Sequence, residues 1–305
     1  MLSPLPASVV SRLAPTPSGF LHLGNAVNFT LTWLLVRQAG GTLHLRIDDL
    51  DRARVRPQYL ENIFRTIDWL GLDYDFGPTG LDDFEQHYSQ RHYLSDYTAV
   101  LQATLAANPT MVYACRCSRT GLARTSTDGR YPGTCRGAQV EAAVADVAWR
   151  VRVPEETLVC FDDLWQGPVQ VGLARELGDF VIRKKDGWPA YQLASIIDDV
   201  RLGVTLIVRG LDLLPSTAAQ LWLAQYLPGM EAFRRVQFGH HTLISGADGV
   251  KLSKSTQASS QRGIMAEAGG PVVVYRVVAQ LLGLPVAAAS SLISLQSALS
   301  TARNA

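Results

Sequence analysis

The sequence predicts an α/β protein: a split nucleotide-binding fold on a parallel sheet, with an inserted middle segment and a small helical C-terminal region. Three observations carry this. The N-terminus runs strand, turn, helix, strand. Residues 115–137 break the pattern, with three cysteines and five arginines and little apolar periodicity. Beyond Pro271 the chain is rich in Ala, Val and Leu, a helical composition.

The elements follow in order. Val9–Leu13 is a short apolar run that suits a buried strand. Ala14-Pro15-Thr16-Pro17-Ser18-Gly19 is a turn, because two prolines and a glycine cannot continue a regular element. From about Asn25 to Gln38 the apolar positions Val27, Leu31, Leu34 and Leu35 recur at helical spacing, and Gly40-Gly41 stops the helix. Thr42–Ile47 alternates as a strand does, which completes a βαβ unit and implies parallel pairing. Helices are predicted over Tyr59–Gly71 and Tyr93–Ala107, and strands over Trp149–Val153, Asp179–Arg183 and Leu206–Val208. Ser216 or Thr217 is the expected cap of a helix reaching about Tyr226.

Composition excludes several classes. Apolar residues at 47% and charged residues at 18% are those of a folded chain. Twenty-eight basic against 27 acidic residues give +1, so a uniformly basic nucleic-acid binder is excluded while a local basic patch is not. No uncharged apolar run is long enough for a membrane span, and the N-terminus lacks the basic start of a signal peptide. Four cysteines in 305 residues suit a reducing cytosol rather than a disulfide scaffold.

Two short runs carry chemistry. His22-Leu23-Gly24-Asn25 stands where strand gives way to helix, where free N–H groups and the positive helix end favour anions. His22 can donate to phosphate oxygens, and Gly24 leaves room for a flat base or ribose against the backbone. Lys251-Leu252-Ser253-Lys254-Ser255 suits a loop that closes over a triphosphate, with lysine supplying point charge. Alone, the first reads more simply as an ordinary βα turn with a surface histidine and the second as a solvated basic loop.

Three thiols at Cys115, Cys117 and Cys135, inside 21 positions, suggest a structural zinc site, which wants four tetrahedral ligands. None of the six histidines lies in this window. The residues alone leave the fourth ligand open among Asp128, Tyr131 and the distant Cys160, which otherwise reads as a buried thiol. Arg116, Arg119, Arg124, Arg130 and Arg136 surround the module against a single Asp128, a basic cluster able to contact tRNA phosphates or simply to be solvated.

Taken together, the HxGx and KLSKS runs resemble the paired signatures of class I aminoacyl-tRNA synthetases. Arg12–Gly19, Arg46-Ile47-Asp48-Asp49-Leu50-Asp51, Tyr191–Ala194 and Val208–Leu214 resemble blocks of the glutamyl branch of that class. The resemblance implies the class I Rossmann-like sheet. It implies that Arg12 and Arg209 grip the glutamate side-chain carboxylate, that the Tyr191 hydroxyl adds a hydrogen bond, that Asp48 faces the ammonium, and that the backbone at Ala14 and Thr16 completes the pocket. His22, Gly24, Asn25, Lys251 and Lys254 would hold ATP with magnesium, His22 and Lys254 acting on the reaction itself. One departure is that the family usually has Glu where this chain has Asp48. The shorter arm calls for a water, a backbone shift or the help of Asp49.

The order C-x-C, then Y-x-x-x-C, is similar to the zinc pattern of the short glutamyl-queuosine tRNA(Asp) paralogues. That implies one zinc held by Cys115, Cys117, Tyr131 and Cys135. About fifty residues follow Ser255, fewer than an anticodon-binding domain needs, which points the same way. The implied partners are ATP, glutamate and queuosine-containing tRNA(Asp), with no membrane and a monomeric chain. The implied organisation is residues 1–108 and 189–240 as the two halves of the catalytic domain. Residues 109–188 are then the insert and 241–305 the KLSKS loop with a helical, stem-contact-like region. The alternatives are a truncated glutamyl-tRNA synthetase charging an acceptor end, and a non-catalytic tRNA-binding paralogue.

Overall fold

The computed structural model describes residues 5–118, 120–122, 130–138, 140, 146–244 and 263–304. In chain order its main elements are β1 (Val10–Leu13), α1 (Leu23–Gln38), β2 (Thr42–Leu45), α2 (Pro57–Trp69), α3 (Leu94–Ala107), β3 (Val112–Cys115), β4 (Ala148–Val151), β5 (Leu158–Asp163) and β6 (Gly167–Gly172). There follow β7 (Val181–Arg183), α4 (Tyr191–Arg201), β8 (Leu206–Gly210), α5 (Leu214–Ala224), β9 (Gln237–His241), α6 (Val272–Leu281) and α7 (Leu292–Asn304). Among the described residues no helix is long and apolar enough to cross a membrane.

The chain forms two compact units. The first gathers the described residues of Met1–His92, Val204–Asp212 and Gln237–Ala305. In it β1 and β2 pair in parallel, Val10 opposite Thr42 through Leu13 opposite Leu45, as the βαβ reading predicts. β8 and β9 pair in parallel as well. β1 is tied to the start of β8 across 195 positions of sequence, by Thr205 N–H to the Val10 carbonyl and by the Ser11 hydroxyl to the Leu206 carbonyl, each 2.8 Å. α1 buries Ala26–Val27 and Phe29–Val36 almost all round, so its hydrophobic face is not a stripe. Thr30 and Thr32 live in that interior because their hydroxyls return to the carbonyls of Ala26 and Asn28. Gly41 is required after the helix: a Cβ there would lie 2.4 Å from the Val9 carbonyl oxygen. The Ala/Val/Leu-rich tail is helical as predicted, and Tyr275 on α6 donates to the Leu70 carbonyl at 3.0 Å.

The second unit gathers Tyr93–Gly203 and Leu213–Val236. β3, β4 and β7 form an antiparallel sheet in that order, and β5 and β6 form a hairpin. α3 and α4 are joined through a buried pair, Tyr97 Oη donating to Asp198 Oδ1 at 2.7 Å. Two expectations are corrected here. Ser216 and Thr217 do not cap α5 but lie inside it. The helix begins at Leu214, and Pro215 occupies the first turn, where its missing N–H costs nothing. Cys160 is exposed rather than buried. On β5 the buried positions are Val159 and Asp163, so strand alternation turns Cys160 outward.

Candidate active site and metal centre

The HxGx run folds into a reciprocal cap. His22 is the N-cap of α1, so this helix starts two residues earlier than apolar spacing alone suggests. Its Nδ1 accepts the Gly24 N–H at 3.0 Å, while its own backbone N–H donates to Asn25 Oδ1 at 3.1 Å. Because Nδ1 accepts, the neutral ring carries its proton on Nε2, which is then a donor. No acidic residue stands in the first turn, so the positive helix end keeps its pull on anions. The structure also revises why glycine is needed. A Cβ on Gly24 would lie 2.9 Å from His22 Cε1 and 3.0 Å from Nδ1, so the space is filled by the histidine ring itself. Gly24→Ala should therefore swing His22 off its cap. Better helix propensity offsets the lost cap, each about 1 kcal/mol. We expect ATP–pyrophosphate exchange to fall about tenfold, or ~1.4 kcal/mol, with thermal stability nearly unchanged. Full exchange activity would remove the cap from the mechanism.

Protein packed around the His22 ring lowers its pKa from the usual 6.5, against an opposing pull from Asp212. Burial also lowers His241, at the end of β9, where Nδ1 donates to the Thr242 carbonyl at 2.9 Å. It lowers His44 on β2 too. Between each lowered value and 6.5 the unfolded chain holds protons that the folded chain does not. Stability is then full above about pH 6.5 and lost as pH falls. Urea midpoints should drop between pH 7.5 and pH 5.5. An unchanged or higher midpoint at pH 5.5 contradicts this.

The proposed glutamate grip draws on the same unit. Arg12 on β1 and Arg209 on β8 are both buried, two and four positions past the Val10–Thr205 junction. The Arg209 guanidinium lies 5.3 Å from the Phe238 ring centre. The turn after β1 is stitched to the stretch after β2 by Arg46 N–H to the Leu13 carbonyl and Asp48 N–H to the Pro15 carbonyl. This brings Ala14 and Thr16 beside the acidic run. Arg46 grips Asp48 in a fork, Nε to Oδ1 at 2.7 Å and Nη2 to Oδ2 at 3.1 Å, which fixes the direction of the carboxylate. Asp49 is not at leisure to replace it. Its carboxylate accepts the Ser89 hydroxyl at 2.6 Å, the Gln90 N–H at 2.9 Å and Arg52 at 2.9 Å. Sequence reasoning missed Ser89 and Gln90 as supports, since no motif marks a partner forty positions away, and it read Arg46 only as part of a motif rather than as the partner of Asp48 two positions on. Tyr191 belongs to the second unit, as the first residue of α4, and is 45% exposed. Lys251 and Lys254 lie outside the described residues, as do Arg119, Arg124 and Asp128.

The cysteines do converge. Cys115 Sγ, Cys117 Sγ and Cys135 Sγ lie within 4.8 Å of one another, the last two 3.7 Å apart. Tetrahedral zinc with ~2.3 Å bonds to sulfur places sulfurs about 3.8 Å apart, and a sulfur and an oxygen about 3.5 Å apart. Tyr131 Oη sits 3.4 Å from Cys115 Sγ and 3.9 Å from Cys117 Sγ, and it accepts the Cys135 N–H at 2.7 Å. The four donors therefore fit one tetrahedral divalent ion. Burial pushes the Cys135 thiol up, but hydrogen bonds from Tyr131, the Arg116 backbone and the two other thiols outweigh it and bring it to about 7. Burial raises Cys117 and Tyr131. The surrounding arginines are partly structural: Arg130 donates to the Arg175 carbonyl, and Arg136 to the Val153 carbonyl and toward Asp179.

The model of the family described as tRNA synthetases class I (E and Q), catalytic domain, matches residues 8–304. A protein of Nitratidesulfovibrio vulgaris named Glutamyl-Q tRNA(Asp) synthetase is 39% identical over 289 residues, 90% of this chain and 86% of its own. One of the same name from Symbiobacterium thermophilum is 41% identical over 290 residues, with the same coverage. Among solved structures, the glutamate-tRNA synthetase of Elizabethkingia anophelis superposes with a TM-score of 0.74 at 23% identity, a likeness of fold. That match covers 96% of this chain, which spans 66% of the longer protein.

Proposed function

The chain belongs to the class I tRNA synthetases (E and Q), and from that premise we propose that it activates glutamate with ATP and transfers it to queuosine in the anticodon of tRNA(Asp). The observation that carries this reading is the match, over nine tenths of the chain, to relatives named Glutamyl-Q tRNA(Asp) synthetase. In the first step an oxygen of the glutamate α-carboxylate attacks the α-phosphorus of ATP. The bond to the bridging oxygen breaks and pyrophosphate leaves. No general base is needed, because an α-carboxylate, with a pKa well below neutrality, is already ionised. Negative charge moves onto the leaving phosphates. The α1 N-terminus and the Nε2–H of His22 answer it, with Lys254 proposed as a third donor. Magnesium bound with ATP supplies further charge compensation. Arg12 and Arg209 select the side-chain carboxylate as fixed forks, and Arg46 holds Asp48 for the ammonium. In the second step a hydroxyl of the queuosine ring attacks the glutamyl carbonyl carbon, and AMP leaves.

The test is direct. With labelled glutamate, ATP and tRNA(Asp) isolated with and without queuosine, label should enter only the queuosine-containing tRNA, in its anticodon stem-loop fragment. Label on tRNA(Glu) alone would falsify the reading in favour of a truncated acceptor-end synthetase. Queuosine-tRNA binding with no pyrophosphate exchange would favour a non-catalytic paralogue.

The cysteine centre is proposed to hold one structural zinc through Cys115, Cys117, Tyr131 and Cys135, in a chain that works as a cytoplasmic monomer. Metal supplies a rigid crosslink there, and uptake releases ligand protons. Cys135→Ser should cut zinc well below one per chain while sparing exchange, since none of the four ligands is among the residues assigned to ATP or glutamate. Metal analysis of the purified variant decides; undiminished zinc excludes Cys135 as a ligand.

A further inference from the structure

Arg150 carries a buried positive charge whose partner the ordinary pairing rules do not supply. It stands on β4 opposite Tyr113 in the antiparallel register, with 9% of its surface exposed. Its Nη1 donates to the Asp179 backbone carbonyl at 2.9 Å, and its Nε is buried with no hydrogen-bond partner. Among the described residues no carboxylate forms an ion pair with it. The Asp179 carboxylate is instead committed to Arg136 at 3.4 Å, the Tyr113 hydroxyl at 2.6 Å and the Val153 N–H at 2.8 Å. Buried guanidinium groups are normally paired, because desolvating one without a counter-charge is costly. What Arg150 does face is the Tyr131 ring, its guanidinium carbon 3.8 Å from the ring centre.

We infer that Arg150 is the counter-charge of the loaded metal centre and the positioning residue that holds Tyr131 as the fourth ligand. The inference rests on the zinc reading above. Three thiolates and one phenolate around a divalent ion sum to two negative charges, buried beside β3. Arg150 supplies positive charge on the open face of one of those ligands. Its flat fork also fixes the ring from its face, while the Cys135 N–H fixes the phenol oxygen from its end. Lysine cannot do both, because a strongly hydrated ammonium resists burial and does not stack as a plane.

The competing role is a plain strut joining β4 to Asp179, which would matter equally with and without metal. Wild type, Arg150→Met, Arg150→Lys and Tyr131→Phe are purified in reducing buffer, loaded with zinc and challenged with a chromophoric chelator. Thermal unfolding is recorded for each with and without zinc. Wild type should hold about one zinc per chain, as the assigned ligand set requires. Arg150→Met should release zinc at least tenfold faster, or ~1.4 kcal/mol in barrier, with Arg150→Lys intermediate. Metal-free Arg150→Met should melt no lower than metal-free wild type, because there the charge has no counter-charge to lose. On the Tyr131→Phe background the Arg150→Met effect should largely vanish. Zinc release at the wild-type rate overturns the proposal and leaves the zinc reading standing. An equal loss of stability with and without metal assigns the strut and overturns it too. A wild-type chain that takes up no zinc defeats the metal reading itself, and this inference with it.

Discussion

Replacing Arg209 by methionine should lower glutamate-dependent ATP–pyrophosphate exchange at least a hundredfold. Methionine keeps a long apolar stem, so the packing of the buried position, including the approach to Phe238, is largely retained. What disappears is one arm of the grip on the substrate's side-chain carboxylate. Removing one partner of a desolvated, charge-paired contact costs about 2–5 kcal/mol, and a hundredfold corresponds to about 2.7 kcal/mol. The loss should fall on the KM for glutamate and leave the KM for ATP near its original value. Arg209→Lys should recover little, since an ammonium cannot reproduce a planar fork. Exchange within threefold of wild type would take Arg209 out of substrate recognition.

The second large effect concerns Asp49, which the sequence offered as a stand-in at the ammonium site and the structure uses as a buttress. Asp49 is 1% exposed and Ser89 is fully buried. Asp49→Ala leaves the Ser89 hydroxyl and the Gln90 N–H without acceptors in the interior, at about 1–3 kcal/mol each. Arg52 is partly exposed, so its charge rehydrates and adds little. A loss of about 3 kcal/mol in urea unfolding is expected on that basis. Because the same carboxylate anchors the stretch that carries Asp48, the KM for glutamate should rise in parallel. A variant as stable as the parent would mean that the Ser89–Asp49 contact carries no weight.

These two residues mark where sequence reading stops. Elements set by local chemistry were legible: the turn with two prolines, the strands around α1, and the glycine pair that ends that helix. The start of α1 was placed late because histidine is not a usual capping side chain, and only the geometry reveals its ring accepting the Gly24 N–H. α4 is marked by Leu193, Ile196 and Ile197, a short period easily read as a motif alone. The β5–β6 hairpin hides because its turn is closed by Asp163 accepting the N–H groups of Trp165 and Gln166 rather than by an Asn-Gly pair. The three sulfurs were legible from spacing, since a metal site has few possible ligand sets. The roles of Ser89 and Arg150 were not, because each depends on which side chain of a distant segment it meets, and the Arg46–Asp48 fork was not, because a two-residue spacing does not fix the two rotamers.

The tie between Ser11 and Leu206 has a consequence for biosynthesis. The opening strand leaves the ribosome long before the strand it bonds has been made. At about 5–20 residues per second, 195 residues take roughly 10–40 s to translate. Throughout that interval β1 can pair with β2 alone, and α1, buried almost all round in the finished unit, lacks part of its cover. The first unit can close only after the intervening unit has been synthesised, so holding chaperones and the pace of elongation should govern the yield of active enzyme as strongly as its final stability does.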